Sequence, residues 1–185
     1  MKKVQLGSGN DYKRDYINID SSPLVKPDYI IDLEEAKLPF KDNTIDEVLC
    51  NHVLEHITNF IPLMKEIHRV CKPGAKILIK TPLFSSWGQY NDPTHVRFFS
   101  THTFDYFEKG NYSHEVGVDK DLFSCKVELN YAIGRLKFMN WLMNPLINLW
   151  QDFYIRFLAF ILPCSEIRYE LTCIKEEEKN ETKDI

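Results

Sequence analysis

The stretch VQLGSGNDYKRDYINID, residues 4–20, decides the fold of this chain. Its apolar run at residues 4–6 leads into Gly7-Ser8-Gly9, which is typical of a buried strand that enters a tight turn. A second β-rich run, residues 16–20, ends at Asp20. Because the carboxyl ends of neighbouring parallel strands meet at one crevice, we expect the turn and Asp20 to line the same pocket.

Outward from this stretch, strand-like runs alternate with a helical pattern. Short β-rich runs predict further strands at residues 28–33, 45–50, 76–81, 123–131 and 167–173. Apolar residues at helical spacing predict a helix at residues 60–71, which the turn Lys72-Pro73-Gly74 stops. This alternation indicates βαβ units and a mostly parallel α/β sheet.

The composition is ordinary for a globular protein. The chain has 185 residues, of which 27% are charged and 44% hydrophobic, and its formal net charge is −4. These values exclude collagen-like and disordered classes, and the acidity disfavours nucleic acid as a partner. We predict one domain over residues 1–175 and a charged, disordered tail at residues 176–185. Five cysteines without a CxxC pair, and no signal-peptide pattern, predict a reducing cytoplasmic location.

The residue types at the predicted crevice suit an adenosine that carries no diphosphate. Two glycines allow a sharp turn and a close ligand approach, but Tyr12 stands where a dinucleotide-binding turn has its third glycine. Asp20 can accept both hydroxyl hydrogens of a ribose. Asp32-Leu33 ends the third predicted strand, where it can meet the edge and face of an adenine.

Four segments stand in a specific order between residues 4 and 82: VQLGSGN, INID, DLEEAKLPFKDNTIDEVLCNHVLEHI and LMKEIHRVCKPGAKILIKTP. Together they resemble the class I S-adenosylmethionine-dependent methyltransferases, in particular the type 11 methyltransferase domain. The resemblance implies a Rossmann-like sheet with flanking helices and an antiparallel last strand. It also implies the cofactor S-adenosyl-L-methionine, the product S-adenosyl-L-homocysteine and an unidentified small-molecule or saccharide-type acceptor. The residues implied to bind the cofactor are Gly7, Ser8 and Gly9 at the methionine moiety, Asp20 at the ribose, Asp32 and Leu33 at the adenine, and Asn51 and His52 near the reactive methyl.

A competing interpretation comes from His52-Val53-Leu54-Glu55-His56, an H-x-x-E-H sequence. In the inverted zincins, this spacing binds zinc through two histidines one helical turn apart. Here the segment directly follows a predicted strand, and no third ligand accompanies a downstream helix, so we predict no metal site. A zinc hydrolase and an adenosylmethionine-binding module without turnover remain the alternatives.

Residues 82–99 form a long irregular stretch after the fifth predicted strand. A stretch of this length inside a compact domain is usually functional or disordered. We expect it to cover the cofactor, because the first strand begins almost at the first residue of the sequence. Within it, we predict that His95, aided by Asp92, is the general base for an acceptor that needs one. The alternative is that both residues only order the loop.

Residues 136–162 form an apolar insert between the last two predicted strands. Its polar residues fall on one helical arc of roughly 160°; they are Asn140, Asn144, Asn148, Gln151, Asp152 and Arg156. The wide apolar face can belong to the core, a homodimer or a peripheral membrane contact, and we favour packing on the sheet or on a partner. The low Lys and Arg content argues against binding to anionic lipid.

Overall fold

The computed structural model describes residues 1–108 and 121–175, and its seven strands form one sheet. The strands are β1 (Lys3–Leu6), β2 (Ile17–Asp20), β3 (Tyr29–Ile30), β4 (Ile45–Asn51), β5 (Cys71–Thr81), β6 (Phe123–Asn130) and β7 (Glu166–Cys173). Their spatial order is β3-β2-β1-β4-β5-β7-β6. The first five strands pair in parallel, whereas β7 is antiparallel to both of its neighbours. The predicted Rossmann-like α/β sheet with an antiparallel last strand is confirmed.

The helical elements are distributed over both halves of the described chain. The α-helices are α1 (Phe60–Val70), α2 (Trp87–Asn91), α3 (Asn140–Leu149) and α4 (Gln151–Phe153), and the last continues into a π-helical turn, Tyr154–Leu158. Short 3-10 segments are Pro23–Val25, Leu33–Glu35, Leu54–His56, Thr103–Phe107 and Gly134–Met139. The predicted helix at residues 60–71 is confirmed as α1, whose buried side chains recur every three or four residues.

One face of the sheet and α1 form the hydrophobic core. Strand β5 alternates along its length: Ile77 and Ile79 are buried, whereas Lys76 and Lys80 lie on the opposite face and are partly exposed. On that opposite face, Lys76 forms an ion pair with Glu170 of β7 at 2.8 Å. A shallow depression of about 400 Å³ lies over the β4, β5, β7 and β6 strands on this polar face. Burial on one face and charge on the other explain why isoleucines alternate with lysines along β5, with Leu78 as the apolar exception on the polar face.

Two predicted boundaries are wrong. The third strand ends at Ile30, because the Asp32 carboxylate accepts the Glu34 N–H at 3.0 Å and starts a 3-10 turn. Strand β5 starts earlier than predicted, because Cys71 pairs with Ile45 before a bulge shifts the register. In both places the local hydrogen bonds override the pattern of apolar residues.

The insert packs in the opposite sense to our expectation. The four amide residues of its polar arc face the edge strand β6 and the residues that follow it, whereas Asp152 and Arg156 are exposed. Most of its apolar arc faces solvent. We call the exposed apolar residues of this region the apolar surface; they are Leu136, Phe138, Trp141, Leu142, Leu146, Leu149, Trp150, Phe153, Phe157, Phe160, Ile161 and Leu162. Trp141 is 85% exposed and Trp150 is 70% exposed. Of the stated preference, packing of this apolar face on the sheet is therefore wrong, and packing on a partner stays a prediction.

Side-chain amides spaced three or four residues apart explain this orientation. Asn148 accepts the Leu129 N–H at 2.8 Å and donates to the Leu129 carbonyl oxygen at 2.8 Å. The remaining contacts of the ladder are Asn140 with both backbone groups of Ala132, Asn144 with the N–H of Tyr131, and Gln151 with the carbonyl oxygen of Val127. Two residues of strand advance about as far as four residues of helix, roughly 6–7 Å, so the two repeats match.

Membrane crossing is not a property of the helices seen here. Within residues 1–108 and 121–175, no helix is long and apolar enough to span a bilayer. The predicted tail at residues 176–185 lies outside the described residues, and the one-domain interpretation stays a prediction.

Candidate functional site

The turn after β1 lies where the strand order of the sheet reverses. β1 pairs with β2 on one side and with β4 on the other, so a crevice opens beyond its carboxyl end. Gly7 and Gly9 both adopt positive φ angles, 61° and 49°. A Cβ on Gly7 would lie 2.3 Å from Val53, whereas a Cβ on Gly9 would meet nothing within 4 Å. Gly7 therefore serves the packing of the turn, and Gly9 leaves open space at the crevice.

Asp20 joins the ends of the first two strands. One carboxylate oxygen accepts the Gly9 N–H at 2.8 Å, and the other accepts the Ser22 N–H at 2.9 Å. Each oxygen keeps a second lone pair, so the carboxylate can still accept hydroxyl hydrogens. The structure thus brings together the glycine turn and the acidic residue that the sequence placed in one pocket.

Two buried polar atoms at this edge have no hydrogen-bond partner among the described residues: Ser8 Oγ and Asn51 Oδ1. Ser8 belongs to the turn after β1, and Asn51 is the last residue of the neighbouring strand β4. Buried polar groups are normally hydrogen-bonded, so an unsatisfied pair beside an open crevice indicates a polar ligand. These atoms fit the predicted cofactor.

The adenine positions are less completely formed. The Ile31 N–H donates to the Asp20 carbonyl oxygen at 2.9 Å, which places Asp32 one residue beyond the end of β2. Asp32 is exposed and caps its turn. The Leu33 side chain is only 5% exposed and packs in the hydrophobic core. Contact of Asp32 and Leu33 with an adenine stays a prediction.

His52, which follows β4, is held between two carboxylates. Its Nδ1 lies 3.3 Å from Glu55 Oε1, and its Nε2 lies 3.2 Å from Glu166 Oε2. Hydrogen bonds to Glu166 and then to Glu55 raise the pKa of His52 to about 9. Burial raises the pKa of Glu166, but hydrogen bonds from His52 and Arg168 outweigh it and lower that pKa to about 2. His52 is therefore an imidazolium at neutral pH, with both N–H groups engaged.

The sequence analysis missed Glu166 as a site residue. It is the first residue of β7 and lies 114 positions from His52 in the chain. Asn130, the last residue of the neighbouring strand β6, donates weakly to Glu166 at 3.4 Å. The one available signal was position. Glu166 begins β7 and pairs with Asn130, the last residue of β6, so the two residues lie at the same end of the sheet.

The loop at residues 82–99 packs against the turn after β4. The N–H groups of Val96 and Arg97 both donate to the Glu55 carbonyl oxygen, at 2.9 and 3.1 Å. His95 Nε2 lies 3.9 Å from Asp92 Oδ2, which is longer than a hydrogen bond. The His95 side chain is 8% exposed. The general-base role of His95 and Asp92 stays a prediction.

The H-x-x-E-H residues do not form a zincin-like helix. Leu54–His56 is a 3-10 turn, and His52 faces Glu166 whereas His56 faces His95. Among the described residues, one group of side chains could hold a metal ion: Glu55, His56 and His95. The zinc hydrolase with His52 and His56 as paired ligands is therefore not supported by the geometry.

Comparison with known proteins agrees with the fold. Residues 9–79 match a family model described as a methyltransferase domain. The chain is 38% identical over 71 residues to an uncharacterized protein of Methanocaldococcus jannaschii, covering 34% of this chain and 31% of that protein. It is 40% identical over 50 residues to a Caenorhabditis elegans sterol 4-C-methyltransferase, covering 27% and 15%. It is 27% identical over 74 residues to an Anoxybacillus flavithermus demethylmenaquinone methyltransferase, covering 38% and 31%. The chain matches less than a third of the length of these curated relatives.

Solved structures share the fold over nearly the whole chain. A SAM-dependent methyltransferase from Archaeoglobus fulgidus is 18% identical with a TM-score of 0.61, covering 93% of this chain and 85% of that one. The cyclase SpnF is 15% identical with a TM-score of 0.60, covering 95% and 75%. A Haemonchus contortus phosphoethanolamine N-methyltransferase solved with S-adenosyl-L-methionine is 14% identical with a TM-score of 0.57, covering 95% and 50%. At these identities the likeness concerns the fold alone.

The strand order and the crevice define the Rossmann-like fold of the class I S-adenosylmethionine-dependent methyltransferases. The sequence match to the family model described as a methyltransferase domain covers residues 9–79, less than half of the chain. The resemblance drawn from the sequence motifs is confirmed.

Proposed function

We propose that this chain binds S-adenosyl-L-methionine and transfers its methyl group to a small-molecule or saccharide-type acceptor. The observation that carries the proposal is the hydrogen bond from Gly9 N–H to Asp20, which joins two strand ends at the crevice. The family match over residues 9–79 and the relatives named as methyltransferases support it. The fold alone is a weaker argument, because one fold can carry several chemistries.

The residues present fit this cofactor. Gly7, Ser8 and Gly9 would hold the methionine moiety, and Asp20 would accept hydrogens from the ribose. S-adenosyl-L-methionine supplies a methyl group that is already activated, so the protein mainly has to align the acceptor and exclude water. Ser8 Oγ and Asn51 Oδ1 would gain the polar partner that they lack.

Titration calorimetry with S-adenosyl-L-homocysteine tests the cofactor site. Replacement Asp20→Ala removes a charged acceptor whose hydrogen bonds contribute roughly 1.5–3 kcal/mol each, so Kd should rise at least ~10-fold. Asp15→Ala is the control, because Asp15 is exposed and lies in the segment that connects β1 with β2. Unchanged affinity of Asp20→Ala would reject the assignment.

A transfer assay separates an enzyme from a binding module. Radiolabelled methyl donor is incubated with the chain and an extract of small metabolites, saccharides and lipid-linked saccharides. Tight binding without label transfer to any acceptor would favour the non-catalytic adenosylmethionine-binding module. Label in a product that Asp20→Ala does not form would support the enzyme.

For the apolar surface, we propose contact with a membrane surface. The polar side of α3 is already used by β6, so the surface cannot turn inward without breaking the amide ladder. Around it, Arg135, Lys137 and Arg156 are exposed, and Asp152 is the only acidic residue of residues 133–163. Aromatic and aliphatic side chains flanked by cations are typical of interfacial helices.

Charge favours a membrane over a second copy of the chain. In a two-fold dimer the same patch meets itself, so the cations of the two copies would lie close together. A membrane has no such repulsion. Phe160 of the apolar surface also contacts Phe84 of the loop at residues 82–99, with ring centroids 5.4 Å apart. The surface therefore reaches the loop expected to cover the cofactor, which suits an acceptor with an apolar portion.

A further inference from the structure

The geometry points to a divalent transition-metal site formed by Glu55, His56 and His95, which we propose here. One ligand atom from each of the three lies within 4.8 Å of the others. The imidazole rings of His56 and His95 meet edge to face, with centroids 4.7 Å apart. The first two residues belong to the turn after β4, and the third belongs to the loop at residues 82–99.

The hydrogen bonds assign the tautomer of His95. Its Nδ1 lies 3.1 Å from the carbonyl oxygen of Gln89, which can only accept, so Nδ1 carries a proton. In the neutral ring, Nε2 is then the atom with a free lone pair. A ring N–H that donates to a backbone carbonyl is the usual outer contact of a metal-bound histidine.

The same reasoning assigns His56. The Thr94 hydroxyl donates to the Asp92 carboxylate at 2.6 Å, so its hydrogen is already used. His56 Nδ1, 2.8 Å from Thr94 Oγ1, must therefore be the donor of that contact. This leaves Nε2 of His56 as a second lone-pair atom, oriented by a chain that ends on a carboxylate.

Glu55 supplies the third acceptor. Its side chain is fully buried at 0% exposure, one oxygen contacts His52, and Oε2 has no partner among the described residues. A buried carboxylate oxygen without a donor is costly, and the neutral tautomers assigned to His56 and His95 use their N–H groups elsewhere. A cation at the centre would satisfy all three groups.

The donor set indicates the class of metal. Two imidazole nitrogens and one carboxylate oxygen suit zinc and other first-row divalent ions. Tetrahedral coordination at about 2.0–2.2 Å separates ligand atoms by roughly 3.3–3.6 Å, so the three groups need to approach by about 1 Å. Three protein ligands leave a fourth position for water. The ion would tie the loop at residues 82–99 to the turn after β4, and it would occupy the lone pair that a His95 general base needs.

Zinc binding to the tag-free, chelator-stripped chain tests the site. We expect one equivalent of zinc in competition titrations with a chromogenic chelator. His56→Gln and His95→Gln should each raise the zinc Kd at least ~10-fold. His102→Gln is the matched control, because its side chain is more exposed and contacts none of the three ligands.

Several results would overturn the proposal. Less than a fifth of an equivalent of zinc in the wild-type chain would do so, as would unchanged affinity in both cluster variants. If those variants do not fold, the visible absorption of the wild-type chain loaded with cobalt tests the site instead. We expect the visible bands of a four- or five-coordinate site with nitrogen and oxygen ligands. Their absence would contradict the proposed metal site. S-adenosyl-L-homocysteine binding, measured with and without chelator, keeps this outcome separate from the proposed function.

Discussion

At the scale of single residues, His52 shows how contacts distant in sequence set the chemistry of a site. Its position after β4 was predictable from the motif order, and so was the meeting of Gly9 with Asp20. Its partner Glu166 was not, because no local pattern joins two residues 114 positions apart. The resemblance placed His52 near the reactive methyl but indicated neither of its partners, whereas the structure holds the ring between Glu55 and Glu166.

The stability of the chain should depend on the protonated His52 ring. The pKa of His52 is raised from its ordinary value of 6.5 to about 9, so the folded state favours the protonated ring. The resulting stabilisation is complete below pH 6.5 and is lost as pH rises through about 9. Because the side chain is 46% exposed, screening should limit it to about 1 kcal/mol.

Urea unfolding at several pH values between 6 and 10 measures this effect. His52→Gln should be less stable than the wild-type chain at pH 6 and nearly equal to it at pH 10. His68→Gln is the control, because burial lowers the pKa of His68 and gives no such alkaline loss. A constant gap between His52→Gln and wild type across this range would contradict the prediction.

At the scale of elements, periodicity predicted most strands and α1 but not how the insert packs. A polar arc on a helix normally faces water, and nothing in residues 136–162 alone indicates the reverse. The reversal depends on the unpaired edge of β6, whose backbone groups recur every two residues. Only the tertiary arrangement brings that edge and α3 together.

Removing one amide of the ladder should destabilise the fold. Asn148→Ala leaves both the N–H and the carbonyl oxygen of Leu129 without their side-chain partner, which should cost about 1–3 kcal/mol. Asn148→Asp keeps the acceptor and loses the donor. Its stability should therefore lie between those of Asn148→Ala and the wild-type chain. Leu146→Ala is the control on the exposed side of the same helix. Equal denaturation midpoints for Asn148→Ala and Leu146→Ala would show that water replaces the ladder.

At the scale of the whole molecule, the chain carries two differentiated surfaces. One face of the sheet is charged, and the apolar surface lies on the insert that packs beside the edge strand β6. Hydropathy alone indicated an apolar insert, but the sequence could not tell whether it is core or surface, because that depends on which side the sheet occupies.

Binding to lipid vesicles tests the apolar surface. The wild-type chain should sediment with phosphatidylcholine vesicles, and added phosphatidylglycerol should strengthen this only weakly, because the insert carries few cations. The double variant Trp141→Ser/Trp150→Ser should reduce partitioning at least ~10-fold, since each indole carries a large apolar area. Leu24→Ser, at an 88% exposed site outside the insert, is the control. If the chain does not bind vesicles but forms a dimer in sedimentation velocity that the double variant abolishes, the apolar surface contacts a second copy of the chain and not a membrane.

The asparagine ladder also bears on how the chain avoids self-association while it folds. A bare β6 edge would be a template for strands of other chains, and the ladder occupies the backbone groups of Val127 and Leu129 on that edge with side chains of the insert. Until residue 151 has docked, that edge is open. The interval between completion of β6 and docking of the insert is thus the period in which nascent or heated chains are most prone to aggregate.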